Sequence, residues 1–224
     1  MSDRQHVAFL EEIIRSRRSI RNFSSQVSDE KLLKIVESAI YAPYGGATGI
    51  PLRKIRKIFV FRQNTDSMEK AREIIASQLN SGALRFKVLL KFFPFLRNKM
   101  QTFANRIQYL SENGIPGLTE GSFYIVVAEK AGFPPIEKQS LSHAMQNMWL
   151  TATAHGVGFH LVSVTSALSK NKEFMKILGL NPKEWALDGC IVGTPKEEPQ
   201  AREERKIEEF MTWVGEEKNH EKNA

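Results

Sequence analysis

The sequence predicts an α+β fold in which helices pack on a small mixed sheet around one long central helix. Three observations carry this. Phe123-Tyr124-Ile125-Val126-Val127-Ala128 is continuously apolar and β-rich, as a strand covered on both faces would be. Residues 138–155 are apolar around much of a helical circumference, with Leu141, Ala144, Met145, Met148, Trp149, Ala152 and Ala154, as a central helix requires. Short helical and strand-like runs alternate around these two without an internal repeat or a break in composition, so residues 1–224 read as one domain.

The elements follow in order. Phe9, Leu10, Ile13 and Ile14 have helical spacing over 6–17. Ser28 is placed to cap a second helix, with Asp29 and Glu30 in its first turn and Leu32, Leu33, Ile35, Val36, Ala39 and Ile40 on its inner face. Pro43 ends it, and Tyr44-Gly45-Gly46-Ala47-Thr48-Gly49 reads as a loop. Residues 58–61 read as a strand, and a helix is expected from Asp66 or Ser67 to about Gln78. After the central helix, Gly156 and Gly158 lead into a strand over 159–164. A short helix over 171–178 and a last strand over 186–192 follow. Beyond Pro195 the chain is a charged arm, 196–224, with one helix expected over 203–214.

Composition narrows the function. With 42% hydrophobic and 25% charged residues, global disorder is excluded. The single cysteine, Cys190, cannot form an internal disulfide; its apolar neighbours mark it as a core thiol. No basic-then-apolar secretory pattern opens the chain, and no stretch has the apolar length of a membrane span, so a soluble cytoplasmic protein is expected. No His/Cys/Asp spacing suggests a metal, no Gly-x-Gly-x-x-Gly follows a strand, and no nucleic-acid recognition motif is present. His143, His155 and His160 read as structural. The formal charge of +7 suits an anionic ligand or surface.

That charge has two concentrations. Arg17, Arg18, Ser19 and Arg21 place three guanidinium groups and a hydroxyl within five residues, a donor set matched to phosphate oxygens. In an extended segment Arg17, Ser19 and Arg21 share one side; the alternative is a solvated basic turn. The second is 82–111, where Arg85, Lys87, Lys91, Arg97, Lys99 and Arg106 are interleaved with phenylalanines and leucines and no acid occurs between Glu73 and Glu112.

The run Arg17-Arg18-Ser19-Ile20-Arg21-Asn22-Phe23 resembles the opening Arg-Arg-Ser-x-Arg-x-Phe signature of nitroreductase-like flavoproteins. Residues 27–43 are similar to that family's helix into an Ala-Pro loop, 144–158 to its central helix ending in Gly-x-Gly, and 176–180 and 191–195 to its closing motifs. The resemblance implies an FMN-binding homodimer with two sites built from both chains. It implies that Arg17, Arg18, Ser19 and Arg21 grip the cofactor, that Pro43, Tyr44, Gly45 and Gly46 form the loop against it, and that Leu161, Val162 and Ser163 present backbone groups to the ring. Arg202 or Arg205 resembles the late basic residue at the phosphate. The implied activity is ping-pong reduction of a nitroaromatic, quinone or similar small-molecule acceptor by NAD(P)H, with no catalytic side chain because the flavin carries the chemistry.

The loop departs from the family pattern Ala-Pro-Ser-x-x-Asn-x-Gln-Pro-Trp: its Ser, Asn, Gln and Trp are missing from 42–51. The alternatives are therefore a specialised flavin reaction, such as dehalogenation or flavin breakdown, and a flavin carrier without turnover. Within the family 82–111 corresponds to a variable lid. The same segment could lie on an anionic membrane, dock an acidic carrier such as a ferredoxin, or form an ordinary helical pair with its phenylalanines in the core or the dimer interface.

Overall fold

Strand β3 (Phe123–Lys130) organises the molecule because its side chains alternate between two cores. In the computed structural model, which describes residues 3–45, 49–201 and 203–214, all but the last of its residues are buried. Tyr124, Val126 and Ala128 enter one core; Phe123, Ile125 and Val127 enter the other. Each core is closed by helices. Against the first pack α4 (Asp66–Phe92), through Met68, Ala71 and Ile75, and α7 (Lys172–Ile177), through Phe174 and Met175. Against the second pack α2 (Asp29–Ile40), through Leu32, Ile35 and Ala39 while Leu33 and Ile40 of its expected inner face are exposed, and the central α6 (Glu137–Ala154); the short α3 (Leu52–Ile55) precedes the second strand.

The sheet runs β1 (Phe23–Ser25), β5 (Trp185–Pro195), β3, β2 (Arg56–Arg62), and β4 (Gly158–Leu161) pairs with β5. All these pairings are antiparallel; among the described residues the parallel component of the expected mixed sheet is one bridge between Ser19 and Phe159. Ser28 caps α2 as expected, its hydroxyl accepting from the Lys31 N–H. Cys190 lies fully buried on β5, where burial pushes its thiol up.

Four further expectations change. The helix from Asp66 does not stop near Gln78 but runs to Phe92, and α5 (Arg97–Asn113) returns beside it, so 82–111 is a helical hairpin. The strand over 159–164 ends at Leu161, and a 3-10 segment starts at Ser163. The arm helix over 203–214 is absent save for one 3-10 turn, Ile207–Glu209; Ile207, Phe210 and Trp213 are exposed, so no packing offsets the cost of nucleation. Finally, α1 (Asp3–Ser16) is a helix, but Phe9, Leu10 and Ile14 of its apolar stripe are exposed in the single chain.

Candidate functional site

The segment between α1 and β1 is held by a main-chain contact with β4 and a side-chain contact from α6. Ile20 donates its N–H to Phe159 O, and Trp149 Nε1 donates to Arg18 O. This fixes the direction of each basic side chain. The Arg17 guanidinium lies 4.0 Å from the centre of the Trp149 ring. Arg18 donates to three carbonyls: Arg15 O at 2.7 Å, Arg17 O at 2.9 Å and Gln200 O at 2.9 Å. The last ties the start of the C-terminal arm to the cluster. Ser19 is exposed at its bridge with Phe159. Arg21, exposed to solvent, lines a cavity of about 580 Å³.

That cavity gathers part of the expected site. Leu161, Val162 and Ser163 line it together with Arg21. Val162 uses its N–H on Gly189 O, and its carbonyl accepts from Thr165. The opposite wall comes from the hairpin: Phe86 on α4 stands edge-on to Phe103 on α5, with Arg106 and Ile107 beside them. An apolar lining with a few converging polar groups and this volume suit a small-molecule ligand.

His160 has the contacts of a structural histidine and also lines the cavity. It was expected to be structural, and His143 and His155, grouped with it, are exposed. His160 is buried and lines the cavity, its Nδ1 3.0 Å from Pro116 O. A carbonyl only accepts, so Nδ1 carries the proton. Burial holds the ring below its ordinary pKa; the Pro116 carbonyl acts against this, and Arg21 and Arg106 reinforce it. No motif signalled His160, Arg106 or Gln78, since only the tertiary fold brings α4, α5 and β4 together.

The 43–45 loop is elsewhere. Gly45 lines a separate cavity of about 400 Å³ with Lys54, Glu129, Phe133 and Ile136. Pro43 is held there because its carbonyl accepts from Arg56 Nη2 at 3.2 Å. Tyr44 is exposed. Arg205 lies exposed on the arm, and Gly46 and Arg202 lie outside the described residues. Within one chain, therefore, Arg21 meets 161–163 but not 43–45.

A wider cleft adjoins the Arg21 cavity, sharing Gln78, Ser163, Ser166 and Ala167 with it. Asp188 lies there, facing a cleft also lined by Arg85, Lys138 and Lys170. Burial raises its carboxyl from 3.8 to about 6, opposed by the hydrogen bond from Gly189 N. Between those values the folded chain keeps a proton that the unfolded chain has lost. Stability from this group is thus full at low pH and falls as pH rises through about 6. Asp188→Asn should flatten that fall, worth about 2 kcal/mol after allowance for its solvent contact. His160 acts in the opposite sense, losing stability as pH drops below the unfolded value, so the variant and wild type must be compared by urea unfolding across the same pH range. Parallel pH curves would show that Asp188 titrates normally.

Among the described residues no group of three or more His, Cys, Asp or Glu is arranged to hold a metal, and no helix is long and apolar enough to cross a membrane. The family model of the nitroreductase family matches residues 14–194. Among solved structures, a nitroreductase with bound FMN from Bacteroides fragilis is 17% identical with a TM-score of 0.66, covering 92% of this chain and 98% of its own. A BluB-like flavoprotein from Clostridium difficile is 21% identical with a TM-score of 0.68 at the same coverage. A nitroreductase with bound FMN from Desulfitobacterium hafniense is 22% identical with a TM-score of 0.64, again covering 92% and 98%. No curated protein matches the sequence.

Proposed function

The chain belongs to the nitroreductase family, and from that premise we propose that it is an FMN-dependent oxidoreductase in which the cavity of Arg21 and Leu161–Ser163 receives the flavin ring. The observation that carries this is their meeting in one apolar-walled cavity, although they lie some 140 positions apart in sequence. The residues present fit the group. Leu79, Phe86, Phe103 and Leu110 offer faces for a flat aromatic ring, and the charges present at the cavity, Arg21 and Arg106, are cations.

FMN, when bound, accepts and passes on a hydride. The protein's part is position and charge. Arg21 sets a fixed positive charge beside a group that gains electrons, in a site partly closed to water, where such a charge acts most strongly. His160, neutral, with its proton directed at Pro116, adds no further charge. The phenylalanine pair excludes water. Arg18, bound to Gln200 O, holds the beginning of the arm; Arg17 and Ser19, with one of Arg202 and Arg205 from the arm sequence, are assigned to the phosphate. NAD(P)H and a nitroaromatic, quinone or similar acceptor use the cavity in turn.

The protein acts as a homodimer. The exposed Phe9, Leu10 and Ile14 of α1 form an apolar stripe suited to a second copy. The separation of 43–45 from Arg21 fits a site completed by the partner's loop.

The test is to reconstitute the protein with FMN, desalt it, record the visible spectrum and add NADH or NADPH without oxygen. Retained flavin that bleaches supports the reading; retained flavin that does not bleach points to a carrier or another electron donor. Arg21→Ala should weaken FMN about ten- to a hundredfold, the range for a hydrogen bond to a charged group. Unchanged affinity would remove Arg21 from the site.

A further inference from the structure

The far end of the α4–α5 hairpin is not used by the cavity. Its turn is Phe92-Phe93-Pro94-Phe95-Leu96. Phe92 is 70% exposed, Phe93 47% and Phe95 74%. Leu84, Val88 and Phe92 are four residues apart along α4 and all exposed, so an apolar stripe leads down to the tip. Behind the tip, Lys87, Lys91 and Arg97 line a groove of about 410 Å³ between the two helices, with Gln101 and Asn105 as further polar groups. Residues 74–111 contain six cations and no acid.

We propose that this tip docks on an anionic lipid bilayer, its phenylalanines entering the interface and its cations gathering lipid phosphates in the groove behind them. Charge selects the partner as anionic. Shape selects a bilayer over an acidic protein, because the apolar residues sit on a projecting turn, with the cations set back from it where headgroups would lie. Aromatic rings partition into the interface, and each lysine or arginine near an anionic surface adds attraction that salt screens. The absence of a spanning helix among the described residues makes this surface docking, not insertion. The inference rests on the hairpin alone and does not require the flavin reading.

The test is co-sedimentation of the full-length protein with phosphatidylcholine vesicles, with and without phosphatidylglycerol, at low and high salt. Binding is expected only to the anionic vesicles and should weaken as salt rises. Replacing Phe92, Phe93 and Phe95 by serine should reduce partitioning at least about tenfold, given the transfer free energy of such side chains. K87E/K91E/R97E should abolish it and, being a surface change, also serves if the serine variant folds poorly. Absence of binding to anionic vesicles, equal binding to neutral ones, or wild-type binding by both variants would overturn the proposal. So would a serine variant that turns a dimer into a monomer in sedimentation velocity, since the tip would then be covered by a second copy.

Discussion

Replacing Arg56 by alanine should destabilise the fold by about 3–5 kcal/mol, the cost of breaking a buried ion pair from one side. Arg56 and Glu129 face each other across β2 and β3, with Nε 2.8 Å from Oε2 and both side chains 2% exposed. Without Arg56 the Glu129 carboxylate remains buried without its partner. The loss also reaches beyond the pair. Arg56 Nη1 donates to Ala39 O at 2.5 Å and Ala42 O at 3.2 Å, and Nη2 to Pro43 O. One guanidinium therefore closes the C-terminal end of α2, satisfies carbonyls that the helix cannot, and aims the following loop. Urea unfolding measures the cost. The double change Arg56→Met with Glu129→Leu should recover most of it, since apolar residues of similar volume replace such pairs well. A single variant within about 1 kcal/mol of wild type, inside the usual range for a surface substitution, would mean that water or local rearrangement replaces the clamp. Loss of loop position with little loss of stability would instead separate its two roles.

The clamp shows where sequence reasoning stopped. Residues 123–128 and 138–152 were legible because burial on both sides leaves a continuous apolar signature. Ser28 and Pro43 were legible as local chemistry at helix ends. Arg56 and Glu129 were not, since each stands alone in its strand and their pairing depends on the register of β2 against β3. The length of α4 was missed because its second half faces solvent and cavity instead of one core, so 82–92 lost the pattern that marked 66–78. The site was legible in part for the same reason. Arg17–Arg21 carry a motif and 161–163 follow the one that ends at Gly158, but a motif does not state direction. The structure turns Arg17 onto Trp149 and Arg18 onto Gln200, and leaves Arg21 lining the cavity. His160 entered the site through β4 with no local signal.

Gly117→Ala should be nearly as costly as loss of the clamp, and it should reach the cavity. Gly117 has φ of 81°, a conformation that a side chain strains by about 1–3 kcal/mol. An added Cβ would also lie 2.4 Å from Phe23 Cε2 and 2.8 Å from the Arg21 carbonyl oxygen. The Phe23 ring cannot retreat. A Cβ built on Gly193 would stand 2.6 Å from Cδ1, and one on Gly158 would stand 3.0 Å from Cε1, so the ring already fills the space these glycines leave. Overpacking adds about 1–3 kcal/mol, giving a total of about 2–6 kcal/mol. Gly179→Ala is the control: its φ is 64°, yet nothing lies within 4 Å of its Cβ position, so it bears the strain alone. Thermal unfolding of the two variants therefore isolates the packing cost, and FMN titration of each reports what happens at Arg21. Greater destabilisation and weakened flavin binding in the Gly117 variant alone would mean that Phe23, seated among three glycines, is what fixes the Arg21 main chain. Equal destabilisation of the two would mean that the ring and the Arg21 carbonyl yield without cost, and Arg21 would then owe its position to the main-chain hydrogen bonds on either side of it, Ile20 N–H to Phe159 O and Lys196 N–H to Asn22 O.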